Sequence, residues 1–222
     1  MEEMLCRGDG EMGKMDESII VVAREWLFGD ASFQGTEQSP EKVAAYEKKM
    51  ATGYRTMRRG DAEENTAYKQ PIPYAVLRQN GCFFTYRRLG GGAEQRLHDK
   101  LSIGVGGHMN RIEGETDFRR ILKKNLEREL HEELIVDGAG NAGIRTIGLI
   151  NDDESEVGRV HIGILSLIDL PKEASVHVRE RDKLAGSWRS LAELNSNEII
   201  GRMESWSALA LRLLTDPADE RH

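Results

Sequence analysis

The chain has 222 residues, 39% of them hydrophobic and 31% charged, with a net charge of -7. That size suits one large domain, or a core of about 150 residues with an added arm, and the acidic balance argues against binding along a nucleic-acid polymer, which needs clustered Lys and Arg. Cys6 and Cys82 make neither a disulfide framework nor a zinc cluster, which leaves the cytoplasm as the expected location.

Residues 1–17 are acidic and glycine-bearing and lack the apolar segment of a secretory signal, so they read as a flexible tail. No apolar run approaches the length of a membrane span. Ser18 to Ala23 is a short β-branched apolar run that predicts a strand. Trp26, Leu27 and Phe28 follow, then a turn at Gly29-Asp30. Phe33-Gln34-Gly35 lies in a polar loop, where Phe33 is either a plug that pins the arm or a residue lining a substrate pocket. Pro40 to Met50 predicts a helix with Ser39 as its cap and Pro40 in its first position. Residues 51–70 are polar and read as irregular. Residues 18–69 thus form an N-terminal arm, strand plus short helix, packed on a core domain at 70–216, with a C-terminal tail at 217–222.

Ile72 to Gln79 and Cys82 to Leu89 flank Asn80-Gly81. Asn-Gly suits a two-residue type I′ turn, in which both central residues need positive φ, so a hairpin is predicted. Arg87 and Arg88 ride on its second arm. Residues 90–95 read as a loop, and Leu101 to Val105 as a strand. Thr116 or Asp117 can cap a helix running to about Ile135. Its apolar series Phe118, Leu122, Leu126, Leu130, Leu134 drifts by about 40° per step. The helix must therefore bend, or pack its first turns on a different neighbour from its last. Two further strands, Gly143 to Ile150 and Gly158 to Leu170, enclose the acidic loop Asn151 to Val157. A strand near Lys183 to Trp188, a short helix at Ser190 to Leu194 and an amphipathic helix at Ser205 to Leu214 complete a mixed sheet with helices on its faces.

Chemistry concentrates between Gly104 and Val136. Four glycines in eleven residues precede the long helix. Within it Glu129, Glu132 and Glu133 stand at i, i+3 and i+4, so three carboxylates share one face. Such a repulsive arrangement is sensible around a hard divalent cation with oxygen ligands. Arg128 can brace the acids or the loop before them. The glycines let backbone approach the ion closely.

This segment resembles the signature of the Nudix hydrolase family, G-x5-E-x7-R-E-U-x-E-E-x-G-U with U a bulky apolar residue. Arg128-Glu129-Leu130, Glu132-Glu133 and Val136 match its second half; Gly107 and Gly114-Glu115 match its first. Gly107 to Glu115 is two residues longer than the family spacing, and Glu115 to Arg128 five longer. Ile135 replaces the usual glycine, which calls for a helix end without positive φ. The resemblance covers about residues 70–215.

It implies an α/β fold, a Nudix-like α/β/α sandwich around a mixed β-sheet, here with an N-terminal arm. It also implies Mg²⁺- or Mn²⁺-dependent hydrolysis of a diphosphate linkage in a small phosphorylated substrate. The metal would lie on Glu129, Glu132 and Glu133 with the Gly107 carbonyl. The general base is Glu129, or else Glu154 or Glu156 of the acidic loop. Phosphate contacts are expected from Arg87 and Arg159. His108 and Asn110 follow the glycines and should face the cleft; His161 either faces it or is a satisfied polar residue. A Nudix-fold module that senses a nucleotide-like metabolite without cleaving it would normally lack the acids, and an isomerase of the same fold would rely on a catalytic cysteine and an extra metal-binding histidine set, which nothing around Cys82 resembles. The N-terminal strand and arm could serve a homodimer interface.

Overall fold

The structure, a computed structural model, describes residues 13–89, 100–140 and 142–215. The loop expected at 90–95, the C-terminal tail at 217–222 and residues 1–12 of the expected tail lie outside them. The rest of that tail is built into the molecule. Lys14–Asp16 form a 3-10 turn, and Asp16 and Glu17 pair with Arg58 and Arg59 at 2.7 and 3.5 Å.

In the arm, β1 (Ser18–Ala23) is followed by α1 (Arg24–Phe28), β2 (Gly35–Glu37), α2 (Pro40–Gly53), β3 (Tyr54–Arg58) and α3 (Arg59–Glu63). Pro40 opens α2, but the Ser39 side chain makes no cap bond; the Ser39 amide instead donates to Glu37 Oε1 at 3.0 Å. The stretch 51–70, expected to be irregular, holds β3, α3 and the start of the next strand. β3 pairs antiparallel with β1 from Ser18↔Arg58 to Val22↔Tyr54. It is a mostly exposed edge strand, so its order comes from the partner's ladder and leaves little alternation in its sequence.

The hairpin forms as the Asn-Gly pair requires. β4 (Tyr68–Gln79) and β5 (Cys82–Arg88) are joined by Asn80 and Gly81 at φ 51° and 76°. The strand expected at Leu101 to Val105 is broken at Ile103 into β6 (Leu101–Ser102) and β7 (Gly104–Gly106). α4 (Phe118–Glu133) is capped by Asp117, whose carboxylate accepts from the amides of Arg119 and Arg120. It ends two residues earlier than expected. Leu134 takes extended φ and ψ, -123° and 156°, and β8 (Leu134–Asp137) pairs with β11 (Ser175–Val178). Between these lie β9 (Ile144–Asn151), α5 (Glu156–Val160) and β10 (His161–Asp169). The strand expected from Gly158 starts at His161, because Ser155 caps a helical turn over the preceding residues. β12 (Leu184–Ser190), α6 (Leu191–Leu194), α7 (Asn197–Ile200) and α8 (Ser205–Leu214) finish the chain. A capping box between Ser190 and Glu193 starts α6.

The main sheet runs β12-β5-β4-β10-β9-β2, with β1, β3, β6 and β7 attached at its side. β4 and β10 are parallel, from His161↔Gln70 to Asp169↔Arg78, and both are buried on two faces, as a parallel pair between layers must be. Along its other edge β4 pairs β1 at Tyr68 and Lys69 and β7 at Tyr74 to Val76. Among the described residues no strand pairs on that edge between them. Two of the four residues in the gap are Pro71 and Pro73, which have no N–H to leave unsatisfied. The molecule's main cleft opens there.

The drift along α4 resolves as two neighbours. Phe118 and Ile121 join a cluster with Ile20, Val22, Phe28 and Met50 of the arm. Leu126 and Leu134 join Leu77, Phe84, Val105 and Ile168 of the sheet. The first turns of the helix thus hold the arm, and the last turns hold the acidic face on the core.

Candidate active site

The cleft has a volume of about 970 Å³ and takes walls from every part of the chain. α4 contributes Arg128, Glu129, Glu132 and Glu133, and the loop after β7 contributes Gly107 and His108. All three carboxylates and the glycine picked out by sequence therefore meet on one wall.

Two side chains of α4 clamp the glycine loop. Asn125, 2% exposed, accepts from the Asn110 amide at 2.9 Å and donates to the Asn110 carbonyl at 3.0 Å. Arg128 donates to the His108 carbonyl at 2.7 Å and contacts Glu129 Oε1 at 2.7 Å and Glu132 Oε1 at 3.1 Å. One guanidinium thus fixes the loop and two of the acids together, which a single-point Lys could not do. The floor behind the loop is fixed as well. Tyr74 Oη lies 2.9 Å from Ser207 Oγ, and Tyr86 Oη donates to the Gly104 carbonyl at 3.0 Å.

Glu129 is buried while its two neighbours are more open. Burial pushes its carboxyl above the ordinary range; Arg128 opposes this, and Glu132 and Glu133 add to it. A desolvated carboxylate beside two others, with one cation already in contact, suits a further oxygen-preferring cation. Gly107 is part of that fit: a Cβ there would lie 2.3 Å from the Glu129 carboxylate. Gly107→Ala is expected to displace this carboxylate and cut activity by about 10-fold or more. The obstructing atoms are the tip of a flexible side chain, so stability should fall by less than about 1 kcal/mol. Unchanged kcat/KM in a well-folded Gly107→Ala protein would mean that the close approach is not used.

At the arm end of the cleft His108 meets two residues. Its Nε2 lies 3.0 Å from Glu63 Oε1 and 3.2 Å from His161 Nε2, and His161 Nε2 lies 3.8 Å from Glu63 Oε2. His161 Nδ1 is 2.6 Å from the Val157 carbonyl. Burial pushes the His161 imidazole down to about 4, and the hydrogen bond from His108 is the main influence holding the Glu63 carboxyl below its usual range.

His161 is aimed by the acidic loop. Lys69, fully buried, donates to Asp153 Oδ1 at 2.8 Å, the Gly158 carbonyl at 2.6 Å and the His161 carbonyl at 3.1 Å. Arg24 and Asn151 also bind Asp153. Burial alone would raise the Asp153 carboxyl, yet these partners hold it well below the carboxylate range.

Several expected site residues are not brought to this wall. Phe33 packs edge-on to Phe28 and against Tyr46, at 6.0 and 5.5 Å between ring centroids, and so plugs the arm. Arg87 lies in the ladder of β5 opposite Leu101 and Ala185. Arg159 is exposed and donates to the Asp153 carbonyl. Asn110 is held by its backbone in the clamp. Glu154 and Glu156 are exposed; the residues of that loop that line the cleft are Ser155 and Val157. Glu115 accepts from the amides of Thr116 and Asp117 at the start of α4 and lies 3.6 Å from Lys124.

Sequence reading missed Lys14 and Glu17 from the tail, Arg59 and Glu63 from the arm, and Tyr74, Lys100 and Trp206 elsewhere. All except Glu63 are in the cleft lining, and Glu63 touches it through His108. The one local signal for Glu63 is the i, i+4 pair Arg59-Glu63, 3.7 Å apart, which marks a helical turn.

Protein YmaB of Bacillus subtilis (strain 168) is 48% identical over 205 residues, covering 91% of this chain and all of its own. The crystal structure of Tm1382, described as a candidate Nudix hydrolase, aligns with a TM-score of 0.72 at 29% identity, covering 89% of this chain and 98% of that one. No family model matches the chain.

Proposed function

We propose, from the premise that this chain belongs to the Nudix family, that it is a metal-dependent hydrolase of a diphosphate linkage in a small phosphorylated substrate of the cytoplasm. The observation that carries this reading is the wall made by Glu129, Glu132, Glu133 and Gly107, with Arg128 bonded to two of the acids and to the loop.

Glu129, Glu132 and Glu133 would hold Mg²⁺ or Mn²⁺, together with the backbone of Gly107. The chemistry such an ion supplies when bound is neutralisation of phosphate charge and activation of water. The chain's own residues do the rest. Glu129, whose carboxyl is raised by burial, takes the proton from the attacking water. The water oxygen forms a bond to phosphorus in line with the bridging P–O bond that breaks, and the leaving phosphate departs with that electron pair. Arg128 is a positioning residue that keeps the two acids and the His108 carbonyl in fixed relation. Lys14, Arg59 and Lys100 line the same cleft and suit the phosphates, in place of Arg87 and Arg159. Trp206, Ile72 and Met203 form an apolar wall, which suits a substrate with a flat or apolar moiety next to its charge.

The test is release of phosphate or nucleotide from a panel of diphosphate compounds, with Mg²⁺, with Mn²⁺ and with chelator, for the parent and Glu132→Gln. Metal-dependent turnover of one compound that collapses in Glu132→Gln is the expected result. Metal-dependent binding of a panel member without turnover would replace the hydrolase with a sensing module.

A further inference from the structure

The geometry points to a second cation site at the arm end of the cleft, formed by Glu63, His108 and His161, that takes a transition-metal ion such as Mn²⁺, Co²⁺ or Zn²⁺ in preference to Mg²⁺. Its donors are two imidazole nitrogens and a carboxylate oxygen, and these atoms lie within 4.8 Å of one another. None of them belongs to the acidic face of α4.

Three features carry the assignment. The first is spacing. Four-coordinate bonds of ~2.0–2.1 Å separate neighbouring ligand atoms by about 3.3 Å; here the two imidazole nitrogens are 3.2 Å apart, and the two carboxylate oxygens of Glu63 lie 3.0 Å from His108 and 3.8 Å from His161. The second is the tautomer. A carbonyl oxygen can only accept, so the 2.6 Å contact with Val157 puts the proton on His161 Nδ1 and leaves the Nε2 lone pair facing His108. A ring N–H tied to a backbone carbonyl is the usual support of a ligating histidine. The third is donor chemistry. Imidazole nitrogens favour Zn²⁺, Co²⁺ and Mn²⁺, whereas Mg²⁺ keeps to oxygen, so the two ends of one cleft would select different ions. Arg59 Nε, 3.7 Å from Glu63 Oε1, sits beside the carboxylate and balances its charge when no ion is bound.

The site also gives the arm a reason to be there. Glu63 ends α3, His108 follows the glycine loop and His161 opens β10, so an ion here would join the arm, the loop and the sheet centre. This inference stands whether or not the chain cleaves diphosphates, because its test is binding.

The experiment is equilibrium dialysis of the full chain with Co²⁺ in excess Mg²⁺, together with the visible ligand-field bands of bound Co²⁺. The parent, Glu132→Gln, Glu63→Gln and His108→Gln are compared, and thermal melting confirms that each is folded. One Co²⁺ per chain should survive excess Mg²⁺ and Glu132→Gln, and affinity should fall on the order of 100-fold in Glu63→Gln and in His108→Gln. In the parent, proton NMR of the Co²⁺ form should show shifted, exchangeable imidazole N–H signals, a readout that needs no variant. Displacement of Co²⁺ by Mg²⁺, loss of binding in Glu132→Gln with none in Glu63→Gln, or no Co²⁺ bound would each overturn the site and leave a proton-sharing cluster.

Discussion

Glu129→Gln is expected to lower turnover by roughly 10²–10⁴-fold and yet leave the metal-free protein as stable as the parent, or more stable. The two effects share one cause. Folding raises the Glu129 carboxyl, by burial first and then through Glu132 and Glu133, against the pull of Arg128. A carboxyl raised by folding favours the folded state where it is protonated. Its contribution is fully present below the unfolded value of about 4.3 and is lost as pH rises through the higher folded value. At neutral pH, without metal, the charge therefore works against the fold. Gln keeps an acceptor for Arg128 and removes the charge. Melts in chelator at pH 4 and pH 7.5 should show the parent losing stability relative to Glu129→Gln at the higher pH. Retained turnover would move proton acceptance to another residue. A large loss of stability at pH 7.5 would mean that the ion pair with Arg128 outweighs burial.

The second large effect belongs to Lys69→Met. Methionine fills similar space but takes one donor from each of the Gly158 and His161 carbonyls, the former keeping the His161 amide, and removes one partner of Asp153. Breaking a buried charged pair from one side costs about 3–5 kcal/mol. Asp153 is 24% exposed and keeps Arg24, so the lower end, about 3 kcal/mol, is expected from urea unfolding midpoints. Burial pushes the Lys69 ammonium down, so part of its attraction is already spent on desolvation. A loss below about 1 kcal/mol would mean that water replaces the ammonium and that Arg24, Asn151 and Gln34 suffice to hold the acidic loop. Lys69 is not itself in the cleft lining but bonds the backbone of His161, which is. Any change in activity would be transmitted through the position of His161.

What sequence could reveal follows from how each element is stabilised. The hairpin was legible because Asn80 and Gly81 carry the positive φ of their turn themselves. The acids of α4 were legible because helical spacing alone puts Glu129, Glu132 and Glu133 on one face. The split allegiance of the helix was legible too, as drift in its apolar series. Glu63 was not. It reaches the cleft because β3 pairs with β1 and β1 with β4, and none of these long-range ladders leaves a periodic mark on residues 51–70. His108 and His161 could be noticed singly, but their meeting depends on β4 lying between β7 and β10. Phe33 and Asn110 illustrate the converse. Each lies close in sequence to a suggestive motif, and each is held by a structural contact that only the fold creates.

Glu115 and Arg128 are five residues farther apart than in the family signature, and five residues at 100° each would be expected to turn the acidic face about 140° out of phase. They do not, because phase is measured from wherever a helix is held. Leu126 and Leu130, with Leu134 just past the helix end, lock the last turns of α4 into the sheet, so residues added upstream lengthen the rod without rotating its far end. Phe118 and Ile121, at the other end of the rod, meet the arm. The beginning of this helix is thus the end at which added length would leave the acids where they are, provided that the arm changes with it.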